Sequence, residues 1–239
     1  SATVDRLSNS TFHLGVGTGE NMNEGPLGYN FPKYDERASR MKEALTIIRR
    51  LLNGEKLDFE GEFYNTKGAK LYSPPLKDVP IWLAAGGPKS SHLAAEYADG
   101  LMISVKDPED AYERVINPAK IKTDELGKSD LRIHTYRWTM FADNDEDAWE
   151  SLKSWRGLRA PNRLQEIDPQ ALREQADALP KEEIMSKFSR AGSVEELIDI
   201  YAPLVDDFGS EIVTIQISSV NQEETIKLLG KELLPRLKK

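Results

Sequence analysis

A chain of 239 residues is long enough to bury a sizeable core, and a make-up of 39% apolar, 8% aromatic and 30% charged residues is globular rather than disordered. A formal charge of −8 with scattered lysines suits a nucleic-acid backbone poorly, and no apolar run approaches the roughly 18–20 residues of a membrane span, so neither partner is expected. Cysteine is absent, which removes disulfides, thiolate metal sites and cysteine nucleophiles, and accords with a reducing, cytoplasmic setting. Residues 1–10 have neither a basic start nor an apolar stretch, so no signal peptide is expected. His13, His92 and His134 show no metal-ligand spacing and are expected to be structural.

In chain order, strand-type apolar runs alternate with helix-period segments, the pattern of an α/β fold. Residues 12–16 read as a first strand, running into glycines and a polar loop that ends near Pro32. Residues 34–53 read as a helix with Ala38, Met41, Leu45, Ile48 and Leu52 on one stripe and Gly54 as its stop. Residues 56–64 suggest a hairpin turning at Glu60-Gly61. A second strand over 81–85 leads through Gly86-Gly87-Pro88 into a helix reaching Tyr97, and a third strand spans 101–105. Residues 107–126 are expected to be helical with a break near Asn117-Pro118, followed by a fourth strand over 132–141. The polar, mostly helical stretch 143–190, interrupted at Pro161, Pro169 and Pro180, is too long for a simple crossover and reads as an insertion. Residues 193–208 form the clearest helix, opened by a Ser193/Glu196 capping box, faced by Val194, Leu197, Ile198, Tyr201, Leu204, Val205 and Phe208, and ended by Gly209. A fifth strand, 212–217, precedes an amphipathic helix over 223–237 with Ile226, Leu229, Leu233 and Leu237 facing inward. Five βα units of this kind build either an open parallel sheet or a closed barrel. The whole chain reads as one domain.

Two runs could carry chemistry. In Gly15-Val16-Gly17-Thr18-Gly19-Glu20-Asn21-Met22-Asn23-Glu24, alternating glycines after a strand allow close approach of a ligand, and Thr18, Glu20, Asn23 and Glu24 supply polar groups where α/β folds place their sites. The same run also suits a tight turn with solvated polar groups. A Rossmann fingerprint is a worse match, since Glu20 stands at the third glycine position and no helix is expected to open at once. In Ala84-Ala85-Gly86-Gly87-Pro88-Lys89-Ser90, glycines end a strand and a proline starts a helix, whose free N–H groups would suit a phosphate. A small-residue turn packing helix on sheet accounts for it equally well.

The runs GVGTGENMNE, EALTIIRRLLNGE, FEGEFYNTKGAKLYS and VPIWLAAGGPK…AAEYADG, with ADALP at 176–180 and KELLPRL at 231–237, closely resemble F420-dependent members of the luciferase-like family. The resemblance implies a (β/α)8 TIM barrel, with residues 12–16 as the fourth strand, residues 1–10 as the end of the third helix, and the first three βα units, including the family's catalytic histidine, lacking. Five strands cannot close such a barrel, so exposed sheet edges are expected. Carried over residue by residue, Thr18, Gly19 and Asn23 match coenzyme contacts, Gly86 and Gly87 the pair beside the coenzyme's phosphate-bearing side chain, and Glu20 the acid–base carboxylate. Ser104, Lys106, Arg163 and Lys187 fall at substrate-pocket positions, with lysine and arginine exchanged relative to the family at Arg163 and Lys187, which puts a sugar-phosphate substrate in doubt because the two cations hold phosphate differently. The implied reaction is hydride transfer between the deazaflavin coenzyme F420 and an alcohol or sugar phosphate, in a homodimer. An FMN-dependent monooxygenase of the same family and a non-enzymatic partial barrel docking a partner through its open edges are the rival readings.

Overall fold

The computed structural model describes residues 1–128 and 131–237. Its strands, in chain order, are β1 (Leu14–Val16), β2 (Leu57–Glu60), β3 (Asn65–Ala69), β4 (Ile81–Ala84), β5 (Gly100–Ser104), β6 (Arg132–Phe141), β7 (Ser189–Ala191) and β8 (Ile212–Ser218). The chain forms two compact units, one built from residues 1–19, 32–103 and 112–133, the other from 20–31, 104–111 and 134 onward. No helix among the described residues is long and apolar enough to cross a membrane.

In the first unit β1 pairs in parallel with β4, Leu14 opposite Ile81 and Val16 opposite Leu83, and β4 pairs in parallel with β5. Ile81, Trp82, Leu83, Leu101 and Ile103 are buried, as expected of strands covered on both faces. The Pro88–Tyr97 helix turns Ser91, Ala94 and Ala95 inward, and these small side chains let the Asn117–Glu125 helix pack closely against it. Asp99 ties the unit together, its Oδ2 accepting from the Ile81 N–H at 2.7 Å and from Arg49 at 2.6 Å. His13 accepts through Nδ1 from the Trp82 indole at 2.9 Å and stacks on its ring, a structural role.

The Tyr34–Leu52 helix ends as expected at Gly54, whose φ of +77° suits glycine. Its apolar stripe is mostly half-buried, with Leu45 alone fully covered. The hairpin differs from expectation. Its turn covers residues 61–64 rather than Glu60-Gly61, and its second strand, β3, lies beyond residue 64. The cause is non-local: the Glu43 carboxylate, projecting from the helix, accepts the N–H groups of Glu62, Phe63 and Tyr64 at 2.7–3.0 Å and so shapes the turn. Partial desolvation pushes Glu43 up, but the three donors together outweigh it and hold its carboxyl below the ordinary carboxylate range.

The expected break near Pro118 is a π-helical turn over Tyr112–Ile116 instead, between the Pro108–Ala111 and Asn117–Glu125 helices; the wide turn absorbs a residue without an N–H.

In the second unit β6 pairs in parallel with β8 from His134–Ile212 to Met140–Ser218, and its far end pairs with β7. β7 sits in a stretch expected to be helical; three polar and small residues carry no period-2 signal, and only pairing with residues 139–141 makes them a strand. Residues 145–185 hold helices over Asp145–Leu152, Pro169–Asp177 and Lys181–Met185 and a 3-10 segment over Lys153–Arg159. Met140, Ala148, Leu152, Ala176 and Ile184 form their core. Gly157 allows the 3-10 segment to lie on the Pro169–Asp177 helix, since an added β-carbon would already touch Leu172 at 3.4 Å. The Val194–Asp206 helix buries Val194, Leu197, Tyr201 and Leu204 as expected. Ser193 accepts from the Glu196 N–H, but the Glu196 carboxylate reaches back to the Gly192 N–H rather than completing a box with Ser193. Ile226 is 67% exposed, against expectation, and Thr225 takes the inward place. A π-helical turn over Leu229–Leu233 widens the helix there and rotates the preceding stripe by about one residue relative to buried Leu233.

Gly100 has no room for a side chain. A β-carbon there would come within 2.5 Å of the Trp82 ring and 2.9 Å of the Arg132 carbonyl oxygen. Gly100→Ala is therefore expected to destabilise the protein by about 1–3 kcal/mol, read as a lowered urea midpoint; an unchanged midpoint would mean that Trp82 can move aside at no cost.

Candidate active site

The glycine runs of the first unit follow parallel strands, so both leave the sheet at the same end. β1 runs into Gly17-Thr18-Gly19 and β4 into Ala85-Gly86-Gly87, and a β-carbon on Gly17 would lie 3.7 Å from that of Ala84. Gly19 has φ +87°, a conformation that a β-carbon strains. Arg37 clamps this turn: its guanidinium donates to the carbonyls of Thr18 and Gly19 and to the Thr18 hydroxyl, each at 3.3 Å, and to the Pro32 carbonyl at 3.1 Å.

Gly86 and Gly87 have no strained backbone and open space around them; an added β-carbon would meet no atom within 4 Å. Their N–H groups both donate to Ser90 Oγ, at 3.0 and 3.2 Å. A serine three residues into a helix outcompetes solvent for these donors because its hydroxyl is local and pre-placed. The same hydroxyl donates to the Gly87 carbonyl at 2.9 Å. Tyr34 lies beside Ser90, Arg37 and Lys89; burial pushes its phenol up, with those three groups opposing.

Glu20 and Asn23 belong to the second unit. Contrary to expectation a helix does open at once after Glu20, a short one over Asn21–Glu24, whose Asn23 and Glu24 N–H groups bond the Glu20 carbonyl. No apolar periodicity announces a four-residue helix. The Asn21 amide holds this segment to the insertion through the Gln165 carbonyl at 2.7 Å. Asn23 is exposed.

Glu20 Oε1 and Arg163 lie 2.8 Å apart in a half-exposed ion pair. Around it stand Tyr136, Ser104, Lys106 and Arg159. Burial pushes the Tyr136 phenol up; Arg163 opposes, Glu20 adds to the rise, and a hydrogen bond with Ser104 opposes. Desolvation, then repulsion from Arg159 and Arg163, holds the Lys106 ammonium below the ordinary lysine range. Arg159 is likewise lowered by desolvation and by Arg163. Its guanidinium lies over the Phe188 ring, 4.1 Å from the centroid, and donates to the Lys187 carbonyl at 2.9 Å.

The structure thus brings Glu20, Ser104, Lys106 and Arg163 together, while Lys187 enters through its backbone carbonyl with its side chain exposed. Sequence reading missed Arg159 and Tyr136. Arg159 precedes Arg163 by four residues, a spacing that could have suggested a shared face. Tyr136 meets Ser104 only through strand packing, for which the sequence holds no local sign.

Parallel βα units with ligand-permissive turns at the strands' C-terminal ends define an α/β protein, and the chain belongs to the luciferase-like family: the family model described as luciferase-like monooxygenase matches residues 1–210. It is similar to the F420-dependent glucose-6-phosphate dehydrogenase of Microbacterium testaceum, 34% identical over 232 residues, covering 95% of this chain and 68% of that protein. The enzyme of the same name from Mycolicibacterium gilvum is 32% identical, covering 100% of this chain and 73% of that one. A solved F420-dependent secondary alcohol dehydrogenase, in complex with an F420-acetone adduct, superposes with a TM-score of 0.90 at 25% identity, over 100% of this chain and 73% of that one.

The crowding of cations has a measurable consequence. Lys106 should titrate below the usual lysine value of about 10.4, followed by NMR of the reductively methylated amine. Arg163→Met, which removes one repelling charge, should move that titration upward, and Arg173→Met should not. An ordinary Lys106 titration would show that the ammonium is solvated and unopposed.

Proposed function

We propose that this chain acts as an F420-dependent oxidoreductase, moving a hydride between the coenzyme and a hydroxyl-bearing carbon of an alcohol or sugar-phosphate substrate, with Glu20 handling the hydroxyl proton. The observation that carries the reading is the Glu20–Arg163 ion pair set among Tyr136, Ser104, Lys106 and Arg159: a proton acceptor beside a cluster of anion-binding groups. Similarity to F420-dependent dehydrogenases at 30% identity or above supports the coenzyme.

The residues present suit that coenzyme. Gly86 and Gly87 leave an open cradle, Ser90 keeps its backbone rigid, and Arg37 fixes the Thr18–Gly19 turn. Thr18, Gly19, Gly86 and Gly87 would hold the coenzyme, which when bound supplies a deazaflavin ring as hydride acceptor or donor. In the oxidation direction Glu20 takes the hydroxyl proton as hydride leaves the same carbon, and in reduction it returns it. Tyr136, kept protonated by burial, can donate a hydrogen bond to the substrate oxygen. Lys106, Arg159 and Arg163 orient an anionic substituent, and Ser104 holds Tyr136 in place.

Glu20→Gln keeps size and polarity but removes the proton acceptor. It should leave coenzyme affinity nearly intact and lower kcat by at least about tenfold, with the loss in kcat rather than mainly in KM. Wild-type turnover in that variant would take Glu20 out of the mechanism. Gly87→Val should fold with an unchanged urea midpoint, because the space is open, yet weaken F420 binding by about tenfold, the worth of a modest steric clash. Undiminished coenzyme affinity, measured by absorbance titration, would remove the glycine pair from the coenzyme site.

A further inference from the structure

We infer that the substrate carries an apolar chain or ring alongside its anionic group, seated in a pocket of the second unit that begins at Glu20 and Arg163. The inference rests on the oxidoreductase reading for the reaction, and on the pocket alone for the ligand class. The pocket has a volume of about 220 Å³, and Glu20 and Arg163 stand among its lining residues. Met22, Trp155, Leu158, Leu164 and Leu172 supply most of the rest, with Ser154 and Arg173 as further polar side chains. Trp155 is 49% and Leu164 64% exposed, so the wall presents large apolar side chains without covering them.

The wall is rigid enough to select. Trp155 packs edge-on against Trp138 at 5.0 Å, and Arg156 pairs in two places with Asp177, pinning the 3-10 segment to the Pro169–Asp177 helix. A hexose placed here would turn several hydroxyls toward leucine, methionine and tryptophan with few partners, and each unpaired hydroxyl opposes binding. An aliphatic or aryl group loses nothing in the same place and covers the exposed wall. Charge complementarity fixes which end goes where: the carboxylate or phosphate lies toward Arg163, Arg159 and Lys106, and the apolar end lies along Leu158 and Leu164.

The test uses straight-chain carboxylates from acetate to hexanoate, titrated calorimetrically against the whole chain, with and without F420. Affinity should rise about fourfold per methylene until the pocket is full, and glucose 6-phosphate should bind more weakly than hexanoate. Leu158→Ser with Leu164→Ser should flatten that dependence on length while acetate binds as before. Should the pair fail to fold, Leu164→Ser alone, at an exposed position, should halve the slope or more. Arg163→Met should weaken all members by a similar factor and keep the slope. Affinity independent of length, or glucose 6-phosphate binding more tightly than every carboxylate, would overturn the inference. Coenzyme binding is read separately by absorbance: its absence would overturn the F420 reading and leave the carboxylate series standing, whereas coenzyme binding with a flat series would overturn the pocket alone.

Discussion

The parallel pairing of β1 with β4 governs what the first unit can bind. Parallel strands put every following loop at the same end, and the register of Val16 against Leu83 sets the Thr18–Gly19 and Gly86–Gly87 turns level with one another. Neither turn is stable by itself. One carries a positive φ at Gly19 and spends an arginine's donors on its carbonyls; the other depends on a serine hydroxyl to occupy its N–H groups. Arg37 holds the first turn and Ser90 the second, and beside Gly86 and Gly87 the space is open. That division suits close backbone approach by a large coenzyme better than it suits a bare anion, since the two N–H groups that would have greeted an anion are already engaged.

The second unit presents the opposite economy of charge. Desolvation, then Arg159 and Arg163, depress Lys106; desolvation, then Arg163, depress Arg159; and the Glu20 carboxylate pairs with Arg163. Repulsion and desolvation both work against this arrangement in the protein as it stands, and half-exposed ion pairing returns little of that cost, about 0–1 kcal/mol. Arg159 shows how the strain is managed: its plane rests on Phe188 and one N–H reaches the Lys187 carbonyl, so the guanidinium is positioned by groups that carry no charge.

What could be read from sequence followed the range of the interactions involved. The five main strands, the Tyr34–Leu52 and Val194–Asp206 helices and their glycine stops were legible because period and caps are local. The hairpin turn was misplaced because Glu43, some twenty residues upstream, shapes it. β7 and Tyr136 were invisible because each is defined by a partner strand, and the stripe of the last helix slipped because π-helical turns leave no mark in a 3.6-residue pattern. Among candidate site residues, the motif positions Thr18, Gly19, Glu20, Gly86 and Gly87 stand out by composition. The hydrogen bonds from Gly86 and Gly87 to Ser90 carry no such mark, since glycine, proline and serine in this order fit a plain turn equally well.

Arg163 connects the charged cluster of the second unit with its apolar pocket. It pairs with Glu20, repels Lys106 and lines the apolar pocket. If the substrate is anionic, as proposed, Arg163 can exchange one carboxylate for another oxyanion. Such an exchange keeps a charged hydrogen bond on the guanidinium throughout and so has a small net cost, while it releases the Glu20 oxygen that Arg163 had occupied. Under the proposed reading, recognition of the anion and exposure of the proton acceptor are then one event. A neutral alcohol of the same length would leave the Glu20–Arg163 pair intact and would have to compete with it for the carboxylate. A lysine at this position would keep the charge but not the planar fork that lets one cation address two oxyanions.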